Sequence, residues 1–300
     1  MLRPAAIVLA AALAREPAAV GPPAVDPNYT HEIEAWRRER LQRLTADGGW
    51  LTVAGLHWLK PGANRFGTDP GNDIVLPARS APARAGTFVL ASGRVRVAVQ
   101  PGVAVTLAGK PVTRAQLRSD AGGAAPDVLS LGALTLQIID RGGRLGVRLK
   151  DMNSPARAAF KGLRYFPIDP RYRVAATFVA QPKPVSIDVP TVLGTVERMP
   201  SPGYASFTLP GAPTLRLDAV VEPGETQLFF IFRDATSGKT SYGGGRFLYA
   251  DPPVGGKVVL DFNRAYSPPC AFTPHATCPL PPPNNRLPVA VEAGEMFSGH

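Results

Sequence analysis

Short apolar runs, most of them alternating with polar residues, recur between residues 50 and 263 and constrain the fold more than any other feature. Alternation with a period of two places successive side chains on opposite faces, as in a strand with one buried face. The 300 residues include 30 glycines and 33 prolines, and proline disrupts helix interiors and central strands. The chain is therefore predicted to be mostly β, with short strands and many loops.

The runs form two series, separated by a connection at residues 150–165. The spacing of each series is typical of antiparallel sandwiches. We expect a β-sandwich over 48–150, and an antiparallel β-barrel or sandwich over 151–300 that ends in a Pro-rich tail. The runs of the first series are 51–56, 74–76, 87–90, 95–99, 103–107, 129–131, 134–139 and 145–149. Those of the second are 174–179, 185–189, 192–198, 204–209, 214–221, 227–232, 246–250 and 257–263.

One segment, 27–47, has a helical rather than a strand-like pattern. Ile33, Trp36 and Leu44 recur at helical spacing, which predicts an amphipathic helix whose apolar face packs on a neighbouring sheet. Asn28 or Thr30 is the expected N-cap.

The first 26 residues resemble a short secretory signal. Arg3 precedes an apolar run over 5–14, which is too short to span a membrane. We expect an exported or periplasmic protein if this segment is a signal. If it is a disordered tail, the alternative is a cytoplasmic one.

Two cysteines, Cys270 and Cys278, lie in the Pro-rich tail. Their spacing suits a local disulfide in an exported protein and a reduced, buried pair in a cytoplasmic one. With His275 they would supply three zinc ligands, but a fourth is not evident, so no metal site is expected.

The net charge of +10 raises the question of nucleic-acid binding. The positive charge is spread along the chain without a long basic block, which favours an ordinary solvated surface and no nucleic-acid partner. Gly238-Lys239-Thr240 does not complete a phosphate loop, because position 233 is Arg. No cofactor motif is present, and none is expected.

Polar residues at the ends of the last predicted strands form the candidate site. If 227–234, 245–250 and 257–263 are consecutive antiparallel strands, Arg246 lies near Asp261 and Arg233 near Arg246. Two interpretations remain open, a site for an unknown ligand or a structural latch that holds the tail. A hydrolase that uses Asp261 or Glu292 with Arg246 is the alternative to a binding protein. The complete candidate set is Arg233, Asp234, Tyr242, Arg246, Asp261, Asn263, Arg264, Tyr266, Asn285, Arg286 and Glu292.

The first series resembles the forkhead-associated (FHA) domain, a β-sandwich that can bind phosphothreonine. The segments that carry this resemblance are 62–76, 105–112 and 131–139. Thr68 stands where that family usually has Arg, and no Ser-x-x-His pattern occurs around Ser80. The resemblance implies an FHA-like scaffold without the phosphopeptide site.

From about residue 29 onward the chain resembles the bacterial family named domain of unknown function 1684. The strings 50–56, 232–239 and 261–266 resemble it, and so does the Pro-rich tail over 268–288. The chain departs from the family's usual residues at four positions, which are His57, Ser267, His275 and Asn284. The resemblance implies no established activity.

Overall fold

The computed structural model describes residues 26–297. The signal-like segment lies outside the described residues, except for Asp26. Helix α1 spans Pro27–Thr45, and the short helix α2 spans Pro155–Ala159. The N-terminal strands are β1 (Val53–Trp58), β2 (Gly62–Gly67), β3 (Ile74–Val75), β4 (Gly86–Ala91), β5 (Arg94–Val99), β6 (Thr106–Leu107), β7 (Lys110–Pro111), β8 (Arg114–Leu117), β9 (Val128–Leu131), β10 (Leu134–Arg141) and β11 (Arg144–Asp151). The C-terminal strands are β12 (Arg164–Tyr165), β13 (Arg173–Pro190), β14 (Val196–Phe207), β15 (Leu215–Ala219), β16 (Leu228–Phe232), β17 (Arg246–Ala250), β18 (Lys257–Asp261) and β19 (Glu295–Met296).

The N-terminal strands form a sandwich of two sheets. One sheet has the order β1-β11-β10-β9-β6-β7 and the other β3-β2-β4-β5-β8. Alternate side chains of both sheets meet in one apolar core, which includes Phe66, Phe88, Leu134 and Val147. The predicted period of two therefore corresponds to a buried face on each sheet.

The C-terminal strands build a second antiparallel arrangement. A four-stranded sheet with the order β15-β14-β13-β18 packs against the β16–β17 pair over a core that includes Phe207, Phe232 and Phe262. The mostly β fold with an N-terminal helix is confirmed, and the division into domains near residues 150–165 stays a prediction.

Two local predictions were wrong. The N-cap of α1 is Asp26, whose carboxylate accepts a hydrogen bond from the Asn28 N–H at 2.9 Å, with Pro27 at the first helical position. The strand β18 does not pair with β17 as predicted. It pairs with β13, with Arg173 opposite Asp261, so the inferred hairpin and its register do not exist.

Helix α1 lies against the C-terminal half rather than standing alone. It buries Tyr29, Ile33, Arg40 and Leu44. The Arg37 guanidinium donates to the Phe166 carbonyl at 2.9 Å. The helix thereby brings its Trp36 and Arg40 to the boundary between the two sets of sheets.

Candidate functional site

Arg246 and Asp234 form a fully buried ion pair. The Arg246 Nη2 donates to Asp234 Oδ2 at 2.7 Å, and neither side chain is exposed to solvent. The same guanidinium donates to the carbonyls of Val291 and Ala293. Asp234 also accepts from the backbone N–H of Thr236 at 2.7 Å. These contacts fix the C-terminal segment to strand β17 and leave no room for a ligand on this pair.

Asp261 belongs to a different cluster. The Tyr29 hydroxyl of α1 donates to Asp261 Oδ1 at 2.8 Å. The Asn263 amide donates to the Tyr29 hydroxyl at 2.9 Å and to the Asp169 carbonyl at 2.9 Å. Burial and the neighbouring Asp261 carboxylate raise the pKa of Tyr29 above its usual range. The predicted Arg246–Asp261 pair is therefore wrong, and Asp261 instead anchors the N-terminal helix.

The remaining predicted residues mostly hold the tail. The buried Asn285 amide donates to the carbonyls of Asp218 and Ile231 at 2.9 and 3.0 Å, and its oxygen accepts from the Asp218 N–H at 2.7 Å. Arg233 and Arg286 face each other in a parallel bridge. Glu292 is exposed.

Tyr242 and Arg264 complete this set. The Tyr242 hydroxyl donates to the Cys270 carbonyl at 3.1 Å. Arg264 pairs with Glu32 of α1, and its Nε lies 3.7 Å from Asp261. These are contacts of the structural latch, the alternative interpretation of the predicted cluster. Of these candidate ligand-binding residues, Arg264 and Tyr266 also line a large cleft.

A cleft of about 1040 Å³ lies between the sandwich, helix α1 and the C-terminal sheets. Its wall carries six aromatic side chains, namely Trp36, Trp50, Phe229, Phe247, Tyr249 and Tyr266. Ligand sites favour concave boundaries between structural units, and this one combines aromatic with charged side chains. The sequence does not reveal this site, because its residues come from segments 36–50, 120–148, 197–229 and 247–279, which no local motif connects.

Arg148 on β11 supplies the cationic part of this cleft. Its guanidinium lies 5.0 Å from the Trp50 ring, and Nη2 lies 3.5 Å from the Thr277 hydroxyl. Among residues 26–297 it forms no salt bridge, and its Nε has no hydrogen-bond partner. Burial, together with the nearby charge of Arg141, lowers the pKa of Arg148 to about 10.

Arg141, next to Arg148, is neutralised. Its Nη1 and Nη2 donate to the two carboxylate oxygens of Asp120, both at 2.9 Å, and its Nε donates to the Thr277 hydroxyl at 3.0 Å. Arg148 therefore remains as the buried cation of the cleft without a carboxylate partner in the described chain.

Stacked rings form the opposite wall. Phe229 and Tyr249 are parallel within 9° with ring centres 4.6 Å apart, and Tyr249 and Tyr266 are 6.4 Å apart at 15°. The Tyr249 hydroxyl donates to Glu222 Oε2. Burial raises the pKa of Tyr266 to about 12 and that of Tyr249 further, so both phenols are neutral hydrogen-bond donors at neutral pH.

Arg40 of α1 also lines the cleft, and its guanidinium is fixed by contacts with the C-terminal segment. Its Nε lies 3.3 Å from Glu295 Oε2, and its Nη2 donates to the Ser267 carbonyl at 2.9 Å. Burial raises the pKa of Glu295, and the charge of Arg40 offsets part of this rise. The guanidinium also lies 4.7 Å from the Tyr266 ring.

Cys270 and Cys278 are free thiols, so the disulfide prediction was wrong for this structure. The pair is 2.7 Å apart, beyond the S–S bond length of about 2.05 Å. The Cys270 N–H donates to Cys278 Sγ at 3.2 Å, and Cys278 lines the cleft. The hydrogen bond between the thiols lowers the pKa of Cys270 and raises that of Cys278.

Residues 26–297 contain no group of three or more His, Cys, Asp or Glu side chains arranged to hold a metal ion. Within the same residues, no helix is long and apolar enough to cross a membrane.

A family model described as protein of unknown function (DUF1684) matches residues 158–296. An uncharacterised protein of Haloarcula marismortui, solved by NMR, is 38% identical over 47% of this chain and 78% of its own, with a TM-score of 0.40. The chain belongs to the DUF1684 family. The match to the DUF1684 model covers the C-terminal half, a shorter span than the one expected from residue 29.

Solved FHA domains are similar to about a third of this DUF1684 protein. The FhaA FHA domain, solved in complex with the intracellular domain of Rv3910, is 17% identical over 32% of this chain and 97% of its own, with a TM-score of 0.23. The FHA-2 domain of a Mycobacterium tuberculosis ABC transporter is 27% identical over 30% of this chain and 77% of its own, also at 0.23. A search of curated proteins gives no match.

Proposed function

We propose that this protein binds a small organic molecule with an anionic group in the cleft between the sandwich and the C-terminal sheets. One observation carries the proposal, the buried Arg148 guanidinium in the wall of an aromatic-lined cleft without a carboxylate partner among residues 26–297. Burying an unpaired charge is costly, and proteins seldom retain one without a function. A planar guanidinium matches a carboxylate or phosphate with two parallel hydrogen bonds.

The aromatic wall indicates what the rest of the ligand resembles. Trp50, Phe229 and Tyr266 give the cleft an aromatic lining, against which rings or apolar chains pack. The Thr277 hydroxyl and the phenols add neutral hydrogen-bonding groups. Together they favour a compact organic anion over a bare inorganic one.

Binding of a small-molecule library, measured as a shift in melting temperature, tests this proposal. A ligand that binds only the folded state at 100 times its Kd stabilises the protein by about 2.7 kcal/mol. Carboxylates and phosphate esters should raise the melting temperature of the wild type, and this rise should disappear in Arg148→Met.

Arg144→Met is the matched control. Arg144 lies on the same strand and packs on a tryptophan, Trp58, at 4.3 Å, but it is exposed and outside the cleft. A hit that stabilises both variants as well as the wild type would place binding outside the cleft and overturn the proposal.

A further inference from the structure

The cleft contains unpaired charges of both signs. Glu222 is half-buried and accepts from the Tyr249 hydroxyl through Oε2, and among residues 26–297 it forms no salt bridge. Glu197 also lines the cleft and forms no salt bridge within these residues. Arg148 and these two carboxylates therefore line the same cleft without neutralising one another.

The other charges of the cleft are already paired. Arg141 binds Asp120, Arg40 binds Glu295, Arg264 binds Glu32 and the exposed Arg43 lies 3.6 Å from Glu39. An anion alone would pair with Arg148 and leave Glu222 and Glu197 without a partner. A cation alone would leave Arg148 without one.

Rings next to Glu222 favour a cation at that end. Tyr249, whose hydroxyl donates to Glu222, has its faces covered by Phe229 and Tyr266, so the ring surface available to a cation is that of the half-buried Tyr266 and Trp36 in the same wall. The face of an aromatic ring attracts an ammonium group, and recognition of amines often combines such faces with a carboxylate.

We propose that the ligand is a zwitterion of the amino-acid or betaine class. Its carboxylate binds the Arg148 guanidinium, and its ammonium group lies at Glu222 against the aromatic wall. This inference rests on the proposed function and adds the second charge to it. Glu222 is then a specificity-determining residue that selects amino acids over the corresponding plain acids.

Isothermal titration with matched sets of three compounds tests the inference. Each set contains an amino acid, the acid that lacks its amino group and the amine that lacks its carboxylate. The sets are built on β-alanine, 4-aminobutyrate, 6-aminohexanoate, phenylalanine and tryptophan, and glycine betaine is added alone. The best zwitterion should bind at least about tenfold more tightly than both of its analogues, since each lost charge-assisted hydrogen bond is worth about 1.4 kcal/mol or more.

A variant of Glu222 tests binding of the ammonium group separately from binding of the carboxylate. Glu222→Gln should reduce the affinity for the zwitterion about tenfold while the affinity for the deaminated acid stays the same or rises. Glu225→Gln is the matched control, because Glu225 is exposed, lies three residues away and does not line the cleft. This control should change neither affinity.

The outcomes distinguish this inference from the proposed function. If the deaminated acids bind as tightly as the zwitterions and Arg148→Met abolishes their binding, the anion site stands and the zwitterion inference is wrong. An unchanged preference in Glu222→Gln would also overturn it. If no compound binds in a manner that depends on Arg148, both the inference and the proposed function are contradicted.

Discussion

Replacement by Met should change the free energy of unfolding in opposite directions at two buried arginines, Arg148 and Arg246. Arg148 is 5% exposed and Arg246 is fully buried. Arg246 donates to Asp234 and two carbonyls, whereas Arg148 forms no salt bridge among residues 26–297. If Arg148 is present for a ligand, replacing it with an apolar side chain of similar length should not harm the fold.

The structure gives the size of the effect. Lowering the pKa of Arg148 from its usual value to about 10 disfavours its charged form by roughly 3 kcal/mol, at about 1.4 kcal/mol for each pKa unit. Arg148→Met removes that cost. It also removes the contact with Trp50, worth about 1–2 kcal/mol when desolvated. We expect the free energy of unfolding to rise by about 1–2 kcal/mol.

Arg246→Met should have the opposite effect. It leaves the buried Asp234 carboxylate without its partner, and breaking a buried pair in this way costs about 3–5 kcal/mol. Urea denaturation followed by tryptophan fluorescence measures both variants, with Arg144→Met as a surface control. A loss of 2 kcal/mol or more in Arg148→Met would show that Arg148 stabilises the fold, which would refute the reasoning for a ligand-binding arginine.

Three further predictions concern the latch, acid stability and the sandwich. Asn285→Ala should reduce the free energy of unfolding by about 2–4 kcal/mol. The substitution leaves the backbone groups of Asp218 and Ile231 without the hydrogen bonds that the Asn285 amide makes to them. A urea midpoint equal to that of the wild type would contradict this. Burial lowers the pKa of His57 and His275 in the folded state. As the pH falls below about 6.5, these imidazoles therefore take up protons in the unfolded chain before they do so in the folded one. The free energy of unfolding should decrease in this range. His57→Gln should flatten that decrease in melts between pH 7 and pH 5, and an unchanged slope would count against it. The sandwich should not bind phosphothreonine peptides, because Thr68 stands where FHA domains usually have Arg; micromolar binding that is lost on dephosphorylation would refute this.

The sequence predicted the strands and the helix but not how the last strands pair. The alternation of apolar residues is local, so it identified β16, β17 and β18 as strands. Partner choice is not local. Strand β18 joins β13, more than 80 residues earlier, and adjacency in sequence wrongly favoured β17.

The same limit applies to the site. The sequence placed Arg233 opposite Arg246 across the β16–β17 hairpin, but the observed register pairs Phe232 with Arg246, and the Arg246 guanidinium binds Asp234 instead. Arg148, Glu222 and Trp50 come from three distant segments, and each looks ordinary in its own strand or loop. Arg148 lies between Val147 and Leu149, where alternation predicts an exposed polar side chain, so nothing local marked it as buried.

The position of a bound ligand tests the central claim most directly. A crystal structure of the complex with the tightest compound from the titrations should show its anionic group within about 3 Å of the Arg148 guanidinium. It should also show the remainder of the compound against Trp50 and the stacked rings of Tyr249 and Tyr266. A compound bound elsewhere, or one in the cleft with Arg148 uninvolved, would contradict the account.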